Sequence, residues 1–266
     1  MELTLVALGA GVGLLVGLTS TGGGTLLTPV LLLFGVSPSL SVGTGVLAAS
    51  AMKLFGGGLF ALRGQVHTKT VLRLAAGSLP GAGLGLFVLS RLSPHQLEPF
   101  LRRGVGLVLV LAGVSTLLRL RWAHSSQGRP FPGRRLTAAL GFGVGLLVSL
   151  TGIGSGSVVL CVLTLCFPLG SQTLVGTVLA HALLLSGVTT CGHLLAGRVD
   201  LGLGASILLG GVPGVVVGAH WAGALPERGL RLGLAALLIV MGIHLSLPAG
   251  SRPSPALRTA WLGDRR

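Results

Sequence analysis

The stretch Leu18–Val30, LTSTGGGTLLTPV, constrains this chain more than any other. Three consecutive glycines, Gly22, Gly23 and Gly24, interrupt a run otherwise apolar enough to cross a bilayer, and the apolar piece after them, Thr25 to Phe34, has ten residues. A ten-residue helix rises about 15 Å, roughly half the hydrocarbon core of a membrane. The segment is therefore either a re-entrant half-helix or the second limb of a broken hairpin. Irregular backbone at that depth survives only against protein or beside a water-filled cavity. A helix N-terminus offers unpaired N–H groups and a partial positive charge, so glycines leading through Thr25 into a half-helix suit an anionic ligand. The structural alternative is a glycine break that only lets helices pack closely.

A second copy of the pattern favours the ligand reading. At a shift of about 132 residues, GVGLLVGLTSTGGG (Gly11 to Gly24) aligns with GVGLLVSLTGIGSG (Gly143 to Gly156). After a one-residue adjustment, Val42-Gly43-Thr44 meets Val175-Gly176-Thr177, Gly64-Gln65-Val66 meets Gly197-Arg198-Val199, and Leu79-Pro80-Gly81 meets Val212-Pro213-Gly214. The chain reads as a duplicated unit. Interrupted hydrophobic segments at matching positions of two halves are the best sequence-level pointer to a transporter's binding site.

Composition excludes a soluble globular domain: 51% of residues are hydrophobic, 9% are charged, and 46 of 266 are glycine. With a mean hydropathy of +0.90 the chain is expected to be a polytopic membrane protein. The formal net charge of +14 comes from arginines in loops and tail, where they set topology and touch anionic headgroups, so no nucleic-acid partner is expected. The start, Met1-Glu2-Leu3-Thr4, lacks a basic n-region, and the first apolar run is expected to be retained. Trp122, Trp221 and Trp261 fall in loops or at helix ends, an ordinary interfacial position. Cys161, Cys166 and Cys191 lie in apolar segments without paired spacing, which argues against disulfides or a metal site and for small apolar packing.

Taken in order, the expected elements are a helix over Leu3 to Leu18, the break and half-helix, a turn over Gly35 to Ser41, and a span over Val42 to Leu62. A basic loop over Arg63 to Arg73 precedes spans at Val71 to Leu89 and Leu101 to Leu118, the last two separated by RLSPHQLEPFLRR. The second half repeats this plan with Leu136 to Leu150, the break GIGSGS, a short piece to Phe167, and spans over Leu174 to Leu195, Leu201 to Ala222 and Leu230 to Leu247. The expected organisation is 1–118 first membrane repeat, 119–135 basic linker, 136–247 second membrane repeat and 248–266 flexible basic tail. If each break makes a hairpin, each half crosses the membrane an odd number of times and the halves are inverted; if one break only kinks a single span, the parity and the side of the tail change. The expected fold class is thus all-α, two homologous halves in inverted repeat, each a glycine-broken helical hairpin plus three transmembrane helices. With the linker in the cytoplasm, ten Lys or Arg lie inside and eight outside, the direction the positive-inside rule requires.

Lys53 is the sharpest single signal. An ammonium at mid-bilayer costs about 2.5–3.5 kcal/mol on insertion scales, so such a residue faces a cavity or a partner, or else snorkels to an interface. The acids, Glu2, Glu98, Asp200, Glu227 and Asp264, all fall at ends or in loops, which leaves no carboxylate at mid-membrane to bind a cation. His181 is the one mid-span candidate for carrying a proton, against the alternative of a histidine hydrogen-bonded between helices. Pro80-Gly81 with Gly85, and Pro213-Gly214 with Gly218, read as close-packing seams with a proline kink. Gly11-Val12-Gly13 and Gly152-Ile153-Gly154 lack both the third glycine and the βαβ context of a dinucleotide loop.

These residues together resemble the sulfite exporter TauE/SafE family of bacterial membrane permeases. The resemblance rests on Gly22-Gly23-Gly24 leading to Pro29, Val42-Gly43-Thr44 leading to Lys53, Arg63-Gly64 at that helix's end, and His193 through Gly197 to Val199-Asp200. Met52 stands where the family commonly carries an asparagine. The resemblance implies transport of small sulfur-containing or organic anions such as sulfite or a sulfonate, in the plasma membrane of a bacterium (its cell or inner membrane), without ATP hydrolysis by this chain. The expected anion site comprises Thr21, Gly22, Gly23, Gly24, Thr25, Thr44, Lys53, Gly154, Ser155, Gly156, Ser157 and His181, with no catalytic residue, metal or cofactor. The expected partners are the anion and the lipid bilayer, and a homodimer is left open. A passive anion channel of the same fold and a membrane assembly factor are the competing functions. An enzyme is not expected, because no histidine–carboxylate cluster or nucleophile–base pair converges within the spans.

Overall fold

The computed structural model describes residues 2–19, 24–62, 66–122, 132–221 and 227–247. Among these it is all helical, in the order α1 (Glu2–Thr19), α2 (Gly24–Leu33), α3 (Pro38–Leu62), α4 (Thr68–Arg91), α5 (Pro94–Trp122), α6 (Arg134–Thr151), α7 (Ser157–Cys166), α8 (Ser171–Leu195), α9 (Leu201–Trp221) and α10 (Glu227–Ser246). Among the described residues, α4, α5, α8, α9 and α10 contain stretches long and apolar enough to cross a membrane, and α2 and α7 are the short apolar pieces expected after the breaks. The expected tail and the centre of the linker lie outside the described residues.

Two helix starts differ from the sequence reading. The basic segment taken as a loop as far as Arg73 is helical from Thr68, and most of RLSPHQLEPFLRR forms the opening turns of α5. Proline at the first helical position lacks only an N–H that would be unpaired anyway, and the Ser93 carbonyl accepts the Gln96 and Leu97 amides at 3.0 and 2.9 Å. Hydropathy locates the part of a helix that is buried in lipid. Charged turns that extend beyond that layer are invisible to it.

Small residues fix how the helices approach. Gly9, Gly13 and Gly17 of α1 lie so close to the Ile207, Gly211 and Val215 carbonyls of α9 that a Cβ would overlap them. Residue numbers rise together along both helices, so the two run in the same sense. Gly77 and Gly81 of α4 meet Ala138 and Phe142 of α6 in the same way, again with parallel sense. Gly106 and Gly113 of α5 face Gly242 and Ala235 of α10, an antiparallel pair. Such seams give close van der Waals contact where lipid supplies no hydrophobic drive between helices.

The half-helix α2 is enclosed. Gly24, Thr25, Leu26, Leu27, Thr28, Pro29 and Leu31 are all buried, within an apolar cluster that joins Leu26, Leu27 and Leu31 to Val105 and Leu109 of α5, Leu234 and Leu238 of α10, and Ile153. A second cluster surrounds α7 with Leu74, Val148, Leu174, Val178 and Leu185. Both short helices thus sit in protein, as irregular backbone at membrane depth requires.

Candidate functional site

Gly24, the last glycine of the first break, meets the second break. A Cβ on Gly24, the first residue of α2, would overlap the Gly152 carbonyl, and Ala49 Cβ of α3 lies 3.6 Å from the same point. Gly152 ends α6 in the left-handed conformation, φ 71°, with its N–H bonded to the Val148 carbonyl. A side chain there would be strained and would also press on Val46 and Thr28. Gly154, at φ 102°, turns the chain again before α7. The backbone therefore passes from α6 to α7 through a short irregular segment, Gly152 to Gly156, packed directly against the start of α2.

Lys53 reaches this junction from α3. Its Nζ donates to Ser155 Oγ at 2.7 Å, across 102 residues of sequence, and both residues are 4% exposed. An ammonium has three donors, so beyond Ser155 it has two further N–H groups to offer. Ser155 lies just before the first turn of α7, whose cap Gly156 supplies no side-chain hydrogen bond. The first amides of a helix have no partner inside it and carry the positive end of its dipole. Ser157 Oγ in that turn and Thr28 Oγ1 in α2 are buried with no protein partner. The seam between the breaks thus concentrates positive charge and unspent hydroxyls.

No carboxylate offsets this charge among the acids whose side chains are described. Glu98 accepts from Ser39 Oγ at 2.9 Å, and Asp200 accepts the Leu203 amide at 3.0 Å; both lie at one end of the bundle. A buried cation without a paired acid is costly. What the arrangement can do chemically is accept an anion, with the ammonium, hydroxyls and amides as donors.

The other expected residues divide. Gly154, Ser155, Gly156 and Ser157 form the second break, and Gly24 and Thr25 open α2, where Thr25 is 1% exposed. Thr21, Gly22 and Gly23 lie outside the described residues. His181 is fully buried on α8; its Nε2 lies 2.9 Å from Ser78 Oγ of α4, and its Nδ1 has no protein partner. Thr44 is drawn elsewhere. Its Oγ1 accepts the Asp200 amide at 3.0 Å, nine residues before Lys53 on α3 and so roughly 13 Å away along the helix.

That bond has a counterpart the sequence reading did not single out. Thr177 Oγ1 accepts the His67 amide at 3.0 Å. Thr44 aligns with Thr177 in the repeat, and His67 with Asp200 at the same shift of 133. The two threonines thus make equivalent clasps, one beside Asp200 and one beside His67. The aligned Val-Gly-Thr triplets were the signal that could have found Thr177. Ser78 and Thr28 were not named as site residues, and His193, part of the segment that carried the resemblance, donates its Nε2 to the Ser149 carbonyl at 3.0 Å. Met52 is 1% exposed and lies against Gly211, inside the apolar cluster. Cys161 is buried, Cys166 half-buried and Cys191 exposed.

The family model described as Sulfite exporter TauE/SafE matches residues 5–245. The chain is 38% identical over 261 residues to "Probable membrane transporter protein YjnA" of Bacillus subtilis (strain 168), covering 92% of this chain and 100% of that protein. It is 23% identical over 265 residues to "Probable membrane transporter protein YunE" of the same organism, covering 91% and 96% respectively. No solved structure matches. The chain is a multi-pass membrane protein that belongs to the sulfite exporter TauE/SafE family of membrane transporters.

Proposed function

We propose that the chain is a secondary transporter for a small sulfur-containing or organic anion, bound where the two glycine breaks meet, and that it acts in the plasma membrane of a bacterium. The observation that carries the reading is Lys53, buried without a described acid and donating to Ser155 at the start of α7. One ammonium, aided by a helix N-terminus, balances a singly charged headgroup better than a doubly charged one, so a sulfonate or hydrogen sulfite suits it best.

Movement follows from the duplicated plan. Inverted halves are supported by helix sense: α5 and α10, which occupy matching places in the two halves, run antiparallel against each other. Rocking of one half against the other about the fixed site would expose the anion to each side in turn.

The test is flux into proteoliposomes with Lys53→Met and Lys53→Arg beside the unaltered protein, over sulfite, sulfonates, sulfate and carboxylates. Losing a hydrogen bond to a charged group costs about 1.5–3 kcal/mol, so Lys53→Met is expected to weaken apparent anion affinity roughly 10- to 150-fold. Lys53→Arg is expected to retain part of it. Unchanged flux in well-inserted Lys53→Met protein would refute the site, and flux that never saturates would identify a channel instead.

A further inference from the structure

The end of the bundle away from Asp200 holds a second concentration of positive charge. Lys69 and Arg73 on the opening turns of α4 and Arg134 at the start of α6 line a cleft of about 300 Å³, together with Leu72 and Ala76. The parallel packing of α4 on α6 brings the two helix starts to the same level. Neither start is closed by a side-chain hydrogen bond from its capping residue, His67 or Gly133. First-turn amides and two helix dipoles therefore add to the three side-chain charges. The described acids Glu98 and Asp200 stand at the opposite end, Asp200 two residues from Arg198, whose guanidinium bonds the Leu89 carbonyl near the end of α4.

The cleft is two-sided in chemistry. Its apolar side is open: Leu72, which lines it, is 62% exposed, and Leu136, two residues beyond Arg134 on α6, is 55% exposed. A free inorganic anion would use the charges and leave these leucines uncovered. A molecule with a phosphodiester and acyl chains uses both.

We propose that this cleft is a binding site for an anionic phospholipid, its phosphate held among Lys69, Arg73 and Arg134 and its chains lying along Leu72 and Leu136. The site is separate from the anion path through Lys53 and does not depend on it. A basic groove between membrane helices attracts such headgroups with about 1 kcal/mol for each Lys or Arg, close to a fivefold change in affinity per charge.

The test is native mass spectrometry of the full-length protein, delipidated in detergent and offered phosphatidylglycerol and phosphatidylcholine with the same acyl chains. Phosphatidylglycerol is expected to be retained preferentially and to raise the unfolding temperature, whereas inorganic phosphate and glycerol 3-phosphate do not. The variant Lys69→Gln/Arg73→Gln/Arg134→Gln is expected to lose that preference. Arg134→Gln alone, at an exposed side chain, is expected to reduce it about fivefold and carries the test if the triple variant does not accumulate. Arg91→Gln, at the other end of α4 where the guanidinium lies 4.8 Å from the Phe87 ring centre, is expected to leave it unchanged. Equal retention of the two lipids, an undiminished preference in Arg134→Gln, or equal stabilisation by inorganic phosphate would overturn the proposal.

Discussion

The paired clasps make the most searching prediction. Thr44 holds the Asp200 amide and Thr177 holds the His67 amide, both at 3.0 Å, at matched positions of the repeat and at opposite ends of the bundle. If access alternates, opening one end should require breaking the clasp there while the other stays formed. Thr→Val keeps the shape of the side chain and removes the acceptor. Hydrogen bonds between membrane helices average about 0.6 kcal/mol and reach about 1.7, so each substitution should favour opening at its own end by roughly 3- to 17-fold. The readout is the rate at which a membrane-impermeant thiol reagent labels Ser155→Cys, with Cys161, Cys166 and Cys191 replaced. Thr44→Val is expected to speed labelling from the Asp200 side and slow it from the His67 side. Thr177→Val is expected to do the reverse. Equal effects of both substitutions on both sides, or none, would refute the gating role and leave the clasps as ordinary packing.

Three further outcomes follow from the packing. Gly81→Ala sets a methyl against the Phe142 carbonyl and is expected to cost about 1–3 kcal/mol in thermal unfolding, while Gly83→Ala, with no atom within 4 Å, is expected to be neutral or to stabilise by up to about 1 kcal/mol. Met52→Asn introduces an amide among apolar side chains and against Gly211; it is expected to lower stability by about 1–3 kcal/mol, and unchanged unfolding would show instead that this position faces a polar path. Gly152→Ala forces a side chain to φ 71° beside Val46 and Thr28, and thermal unfolding is expected to report a loss of at least about 1 kcal/mol.

Much of this was legible in the sequence because it depends on local chemistry. The ten-residue pieces after the glycines are helices close to their expected limits, since apolar length and glycine punctuation act on neighbouring residues alone. Lys53 was legible because an ammonium in an apolar span must find a partner. Which partner was not: Ser155 is 102 residues away, and only the packing of α3 against the α6–α7 break brings them together. Thr44 was expected to line the anion site; that its hydroxyl accepts the Asp200 amide is a contact between distant segments that no local pattern encodes. The opening turns of α5 were left outside the expected spans, which followed apolar length, because charge opposes burial in lipid and not helix formation.

The matched positions also show where the duplication stops. The clasps are kept in both halves, Thr44 with Asp200 and Thr177 with His67. The position matching Lys53 at the shift of 133 is Ser186, which turns its hydroxyl back onto the Ala182 carbonyl of its own helix. The position matching Ser155 is Gly23. The clasps are therefore doubled, whereas the charge is single. That division has a physical reason. Two equivalent end states need similar contacts to break and form, or one conformation would dominate and the ligand would need a large differential affinity to shift it. A second buried ammonium facing the first across the seam would add repulsion in a low-dielectric interior that a monoanion could not offset. On the proposed mechanism, one lysine between two symmetric clasps would hold a singly charged ligand at the centre while either end opens.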